Sequence, residues 1–153
     1  EEQGLLGSRA YVDNHFGTFS NPKTDYEKLS AYYQHDSGTG SIRGIAIQMT
    51  PELIPIFTEW MRPFHDIGMK ALTGHNSISR GGSDHVPYVQ AGLNGFSFLQ
   101  DRIQYSTKTH HSNMDVFDNL VAEDLMKNAV ITASFLYHTA NRDELLPRRI
   151  IEE

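Results

Sequence analysis

The chain has 153 residues, a formal net charge of −6 at pH 7 and no cysteine. Its length suits one domain with a real hydrophobic core, and its negative charge argues against a nucleic-acid partner bound through phosphate contacts. The lack of cysteine excludes disulfides and thiolate metal sites, and no apolar run is long enough to cross a membrane. Eight histidines in a chain of this length invite a search for metal ligands.

The first predicted element is a helix that ends before Gly17, because apolar residues recur at helical spacing between positions 5 and 12. Glu1 and Glu2 precede this helix. The helix dipole favours two carboxylates at this end, so a charged first turn is one interpretation of the pair. The start at Glu1 leads us to expect a fragment from which a preceding strand is missing.

Two strands are predicted next, over residues 28–36 and 41–49, with a glycine-rich turn over 37–40 between them. The second strand is apolar on both faces, which is typical of a strand buried on both sides. Asp36 lies where the first strand gives way to the turn. Ligand and metal groups gather at such strand ends in open α/β sheets, although an Asx turn also explains an aspartate here.

A helix is predicted to begin at Thr50 and Pro51 and to end at Gly68. A short strand over 69–73 and a polar loop over 74–88 follow it.

Within this loop, Ser83 or Asp84 is predicted to cap a short helix that runs to Ala91. Asp84 and His85 could line a site, although capping explains Asp84 without any function. The strongly apolar segment 93–99 then predicts another strand.

The stretch KTHHSNMDVFD follows a segment, 102–109, that has β character. On an extended chain, His110 and His111 would project to opposite sides, so that at most one of them faces a given site. Imidazole is a common zinc ligand. Asp115 has two interpretations: it caps the next helix, or, like Asp118, it orients a metal-bound imidazole through the second ring nitrogen.

Residues 116–139 are predicted to form the longest helix, with His138 in a structural role near its end. The expected buried stripe of this helix comprises Leu120, Val121, Leu125, Ala129, Val130, Ala133, Leu136 and Tyr137.

Four segments occur in a defined order: EEQGLLGS at 1–8, HDSGTG at 35–40, GSDH at 82–85 and HHSNMD at 110–115. This set resembles the dinuclear-zinc exopeptidase family, which includes bacterial leucyl aminopeptidases and the plasma glutamate carboxypeptidases. The double histidine and the DSGTG turn are more similar to the carboxypeptidase branch. The resemblance covers nearly the whole chain, and four motifs in the same order argue against chance agreement.

This resemblance implies a centre of two zinc ions that acts on a peptide substrate. Glu1 matches the general base of the family. Glu2 and His111 match ligands of the first zinc, and Asp36 matches a ligand of the second. Zinc takes carboxylate oxygen and imidazole nitrogen as donors, and a carboxylate outside the coordination shell can carry a proton to the leaving amine.

The resemblance also assigns three residues to the substrate side. Ser83 and His85 would lie along the substrate cleft. His110 stands where relatives often carry a tyrosine that supports the developing oxyanion.

The implied fold is α/β, with a mostly parallel or mixed twisted sheet flanked by helices in three layers. The family also needs an upstream His-x-Asp, which this chain lacks. We therefore expect residues 1–153 to be the C-terminal portion of one catalytic domain, incomplete at its N-terminal side and inactive alone. Its expected partners are that missing half and a further subunit of an oligomer, with no nucleic acid and no membrane. The resemblance alone implies secretion or a periplasmic location. The alternative is a non-catalytic binding member of the same fold.

Overall fold

The computed structural model describes residues 3–80 and 82–151. Helices and strands alternate along them, as expected for an α/β fold. In chain order, the elements are α1 (Leu6–His15), β1 (Gly17–Thr18), β2 (Asn21–Pro22), β3 (Tyr32–Gln34), β4 (Ile42–Ala46), α2 (Leu53–Met61), β5 (Ala71–Thr73), α3 (Val86–Gln90), β6 (Gly95–Gln100) and α4 (Ala122–Ala140). None of the described helices is long and apolar enough to cross a bilayer.

Four strands form the main sheet in the order β3-β6-β4-β5. Strand β6 runs parallel to β3 and antiparallel to β4, and β4 runs parallel to β5. The register pairs Tyr33 with Phe96, and Ile45 with both Phe98 and Leu72. This arrangement confirms the expected mixed sheet, and β1 and β2 form a separate small antiparallel ladder.

Helices cover both faces of the sheet. Successive residues of a strand point to opposite faces, and Tyr32 and Tyr33 of β3 pack into different hydrophobic clusters. The cluster that receives Tyr33 contains residues of α2 and α4, whereas the cluster that receives Tyr32 contains residues of α1 and α3. The described chain therefore has helix, sheet and helix layers.

The larger cluster is built around aromatic rings. Phe57 of α2 packs edge-on against Phe96 of β6 with ring centroids 5.2 Å apart, and Phe135 of α4 packs edge-on against Phe98 at 5.4 Å. All four side chains are at most 2% exposed. Burying one such side chain contributes about 2–3 kcal/mol, so these contacts fix α2 and α4 against the sheet.

Helix α4 differs from the prediction in its start and in its buried face. It begins at Ala122 rather than near position 116, because Val121 is extended and its N–H donates to Thr39 Oγ1 at 2.7 Å. Its buried residues are Asn128, Ile131 and Phe135. The predicted stripe was therefore wrong: Val130, Leu136 and Tyr137, for example, are 60%, 51% and 66% exposed.

The segment over 102–109 is not a strand. Tyr105–Thr109 forms a π-helical turn, in which the His110 N–H donates to the Tyr105 carbonyl at 2.9 Å. The other predicted ends of helices and strands lie closer to those in the structure. Helix α2 begins two residues after Pro51, and a 3₁₀ turn continues it to Gly68, which has a left-handed φ of 95°.

Candidate metal centre

A cleft of about 160 Å³ opens where β3 ends and the π-helical turn approaches it. Two carboxylates, two imidazoles and a phenol lie on its walls: Asp36, Asp115, His110, His111 and Tyr105. Gly38, Gly82 and Thr109 complete the lining. Three residues selected from the sequence, Asp36, His110 and His111, therefore lie on one cleft although the first is far from the other two along the chain.

A chain of hydrogen bonds ends at the carboxylate of Asp36. The backbone N–H of His85 donates to Gln34 Oε1 at 2.6 Å, Gln34 Nε2 donates to Ser83 Oγ, and Ser83 Oγ donates to Asp36 Oδ2. Each donor points towards the carboxylate, and such chains strengthen cooperatively. Asp36 thus bonds to a distant side chain here, which favours the ligand interpretation over an Asx turn.

Neither Ser83 nor Asp84 acts as the predicted helix cap. His85 occupies the N-cap position of α3, and no side chain caps this helix. Ser83 and His85 are only 7% and 4% exposed, and their bonds go to Gln34 and Asp36. A direct contact of either side chain with substrate stays a prediction.

The imidazole of His85 is buried against Gln34. Burial lowers the pKa of His85, while the negative charges of Asp36 and Asp84 act in the opposite direction. Its Nδ1 lies 3.3 Å from Gln34 Oε1, and its Nε2 is buried without a hydrogen-bond partner among the described residues. A neutral ring with Nδ1 protonated satisfies Gln34, so His85 completes the support behind Asp36.

His110 and His111 face the same cleft, contrary to the prediction. Their ring centroids are 3.9 Å apart, and the His110 ring lies 4.6 Å from the Tyr105 ring. The prediction failed because the backbone is not extended: it leaves a π-helical turn and passes through His111 at a left-handed φ of 53°. A non-glycine residue in this region is strained, and such strain clusters at functional sites.

Asp115 does not cap α4, since that helix begins seven positions later at Ala122. It lies on the cleft wall with His111 instead. This position fits a carboxylate that orients a histidine ligand. Asp118 lies in a 3₁₀ turn over Phe117–Asn119 and does not line the cleft.

His138 stacks on Trp60 with centroids 5.3 Å apart, which agrees with its predicted structural role.

The donors on the cleft fit zinc by type, because carboxylate oxygen and imidazole nitrogen are ligands that zinc prefers. The predicted base Glu1 and the predicted ligand Glu2 lie outside the described residues. Within 3–80 and 82–151, no group of three or more His, Cys, Asp or Glu side chains could hold a metal ion. The described part therefore brings Asp36 and His111 to one cleft, and a complete coordination sphere needs further donors.

Sequence reasoning missed the amides that surround Asp36. Gln34 lies two positions before Asp36, and the two-residue period of a strand was the available signal. Gln100 and Asn128 bond the turn after Asp36 from β6 and α4. Contacts across such sequence distances leave no local pattern.

The comparisons with known proteins cover the whole stretch of sequence that lines this cleft. The profile of Peptidase family M28 matches residues 1–136. Mouse carboxypeptidase Q is 27% identical over 148 residues, which are 97% of this chain and 29% of that protein. Leucine aminopeptidase 1 of Ajellomyces capsulatus is 27% identical over 155 residues, with 94% of this chain and 37% of that protein covered. The chain thus spans about a third of the curated relatives it matches.

Solved structures share the fold. A peptidase M28 precursor from Shewanella amazonensis superposes with a TM-score of 0.71 at 24% identity, over 97% of this chain and 31% of that one. The zinc aminopeptidase BSAP from Bacillus subtilis gives a TM-score of 0.58 at 23% identity, over 90% and 33%. Because the family profile covers most of the sequence that builds the sheet and the cleft, this chain belongs to peptidase family M28.

Proposed function

We propose that this chain forms part of the active site of a zinc-dependent exopeptidase. The observation that carries the proposal is the meeting of Asp36 and His111 on one cleft, with the Asp36 carboxylate held by Ser83. Membership of a peptidase family and similarity to a protein described as a zinc aminopeptidase support it. A carboxylate fixed by a buried donor is typical of a metal ligand, because the donor sets its orientation.

In this proposal, two zinc ions occupy the complete centre. Glu2 and His111 bind the first ion, and Asp36 binds the second. Zinc supplies Lewis acidity for attack on a peptide carbonyl. Glu1 acts as general base: its carboxylate takes a proton from the attacking water and delivers it to the leaving amine. Only one of two adjacent glutamates can bind the same ion in good geometry, so the pair divides these tasks.

His110 lies on the cleft wall beside His111, where its ring can donate a hydrogen bond to a developing oxyanion. Ser83 and His85 act behind the cleft, through Gln34 and Asp36. We propose that both contribute by orienting Asp36, and that any contact with substrate is secondary because both side chains are buried.

We further propose that residues 1–153 belong to a single catalytic domain and that the remaining ligands come from outside the described residues. This agrees with the share of the relatives that the chain spans. The matched relatives include a carboxypeptidase and an aminopeptidase, so the terminus that is cleaved needs a direct experiment. A secreted or periplasmic location and an oligomeric state stay predictions from the resemblance.

The test uses the complete catalytic domain that contains residues 1–153, because these residues alone are expected to be inactive. It compares zinc content and hydrolysis for this purified protein and its Asp36→Asn and His111→Ala variants. Dipeptides blocked at either the amino or the carboxyl end serve as substrates, and the end that must be free identifies the exopeptidase class. We expect each variant to lose zinc and at least about 100-fold in kcat/KM, since each change removes a proposed ligand. His75→Ala is the control, because His75 is an exposed loop residue that bonds only the Leu72 carbonyl among described partners.

Unchanged zinc content and hydrolysis in Asp36→Asn would refute the proposed centre. Zinc binding without hydrolysis of any peptide would instead support the non-catalytic alternative.

A further inference from the structure

The turn after Asp36 is held by a side-chain amide from the neighbouring strand. Gln100, the last residue of β6, accepts a hydrogen bond from the Ser37 N–H at 2.8 Å through Oε1. Its Nε2 donates to the carbonyls of Gly38 at 2.8 Å and Gly40 at 3.1 Å. One amide therefore satisfies three backbone groups of the turn over 37–40, beginning with the peptide group that follows Asp36.

A second amide holds the two ends of the same turn from α4. Asn128 Oδ1 accepts the Ile42 N–H at 2.8 Å, and Nδ2 donates to the Gly40 carbonyl at 2.9 Å. The same Nδ2 lies 3.0 Å from Nε2 of His35, which precedes Asp36. Asn128 is 1% exposed and sits on the buried face of its helix. A polar residue at such a position costs stability unless it is hydrogen-bonded, and these contacts satisfy the Asn128 amide.

Two further contacts run along the same side of α4. Thr39 Oγ1 accepts the N–H of Val121, and Ser41 Oγ donates to Asp124 Oδ1 at 2.5 Å. Asp124 and Asn128 share one face of α4, because they are four residues apart, and Val121 is the residue that directly precedes the helix. The first turns of α4 therefore lie alongside the turn after Asp36 and bond to it.

From these contacts we infer that Gln100 and Asn128 are positioning residues, which fix the turn so that the Asp36 carboxylate is held ready to bind zinc. The inference rests on the proposed function of Asp36 and extends it to two residues that do not themselves line the cleft. Ser83 orients the carboxylate directly, whereas the two amides hold the backbone that carries it. A ligand held by its surroundings loses little freedom when it binds, so pre-organisation raises metal affinity.

A purely structural role would look different. The amide of Asn94 provides the comparison, because it is 4% exposed and its Nδ2 donates to the carbonyls of Ser30 at 2.9 Å and Leu146 at 3.3 Å. These bonds connect segments away from the cleft. Asn94→Ala and Asn128→Ala both leave buried backbone groups without partners and both lower thermal stability. Only Asn128→Ala should also weaken zinc binding.

The experiment measures the zinc dissociation constant by chelator competition for the purified wild-type protein and for Asn128→Ala, Gln100→Ala, Asn94→Ala and Asp36→Asn. Thermal unfolding is recorded for each metal-free protein. We expect zinc affinity to fall by about 10-fold or more in Asn128→Ala and Gln100→Ala, and to change by less than about 3-fold in Asn94→Ala. Gln100 is partly exposed, so its variant keeps the fold testable if Asn128→Ala unfolds.

A metal-free measurement adds a second readout. Hydrogen exchange of the Ser37 amide should accelerate at least about 10-fold in Gln100→Ala, because that variant removes its acceptor, and should stay unchanged in Asn94→Ala.

The outcomes distinguish a failure of the positioning role from a failure of the proposed metal centre. If Asp36→Asn weakens zinc binding but both amide variants bind zinc as the wild type does, the positioning inference is wrong and the proposed centre stands. If Asp36→Asn binds zinc normally, the centre is wrong and the inference falls with it.

Discussion

The Ser83 hydroxyl donates a hydrogen bond to the Asp36 carboxylate across 47 positions of sequence. This bond joins the end of β3 to the loop before α3, and Gln34 supports it from the same strand. The oxygen that accepts it is Oδ2, so the bond restricts the orientation of the Asp36 carboxylate. In the proposed centre, the bond would therefore give a buried serine an influence on metal binding.

We predict that Ser83→Ala weakens zinc binding by about 10-fold and lowers kcat/KM in proportion, because the carboxylate loses its orienting donor. Isothermal titration of the metal-free protein with zinc measures the effect. Ser79→Ala is the matched control: it lies in the same loop, and its hydroxyl bonds Gln48 instead of Asp36. Equal zinc affinity in the two variants would contradict the role given to Ser83.

The buried His85 should make stability depend on pH. Its pKa in the folded protein lies below the ordinary value of 6.5 because burial disfavours the charged ring. The unfolded chain therefore binds more protons below pH 6.5, and the folded state loses stability as the pH falls through that value. We expect a flatter dependence of the unfolding free energy between pH 7 and 5.5 in His85→Asn.

Denaturant unfolding in the presence of a chelator measures this slope without interference from zinc. His75→Asn is the control, since it makes the same substitution at an exposed loop position of the same chain. A wild-type slope equal to that of His85→Asn would show that His85 does not titrate differently on folding.

The orientation of α4 can be tested by two substitutions on the same helix. Phe135→Ala should cost about 3–5 kcal/mol, because the ring is fully buried among Phe57, Phe98 and Trp60. Leu136→Ala should cost less than about 1 kcal/mol, because Leu136 is half exposed. Chemical denaturation of both variants gives the comparison, and the reverse order of costs would support the stripe predicted from the sequence.

Two glycines should respond in opposite ways to alanine. A Cβ on Gly40 would lie 1.8 Å from the Asp101 carbonyl oxygen, so Gly40→Ala must displace backbone and should lower stability by more than about 2 kcal/mol. A Cβ on Gly7 in α1 would meet nothing within 4 Å, and Gly7→Ala should stabilise by about 0.5–1 kcal/mol. Thermal unfolding of each variant decides, and tolerance of Gly40→Ala would refute the close packing of this turn.

Local patterns predicted the fold where side-chain chemistry and periodicity agreed. Helix α1 and the succession of β4, α2 and β5 follow from apolar spacing and turn residues. Asp36 was placed correctly at a strand end because a glycine-rich turn follows it. The mixed sheet itself came from the family resemblance.

Patterns failed where distant groups decided the local structure. Helix α4 buries the polar Asn128, because its amide bonds the turn near Asp36. The spacing of apolar residues along the sequence could not show that this face of the helix is buried. The π-helical turn before His110 likewise has a β-like composition, and this composition predicted a strand. The roles of Glu1 and Glu2 stay predictions, since both lie outside the described residues.

The contacts that hold the turn after Asp36 join residues 63 and 93 positions apart in the examples of Ser37 with Gln100 and His35 with Asn128. During synthesis, the aspartate leaves the ribosome long before the residues that support it. Long-range contacts form late because closing the intervening loop costs entropy. A nascent chain that stops before α4 would thus carry Asp36 without the residue that holds both ends of its turn. If Asp36 binds zinc as proposed, we expect metal capture to be one of the last events in the maturation of this protein.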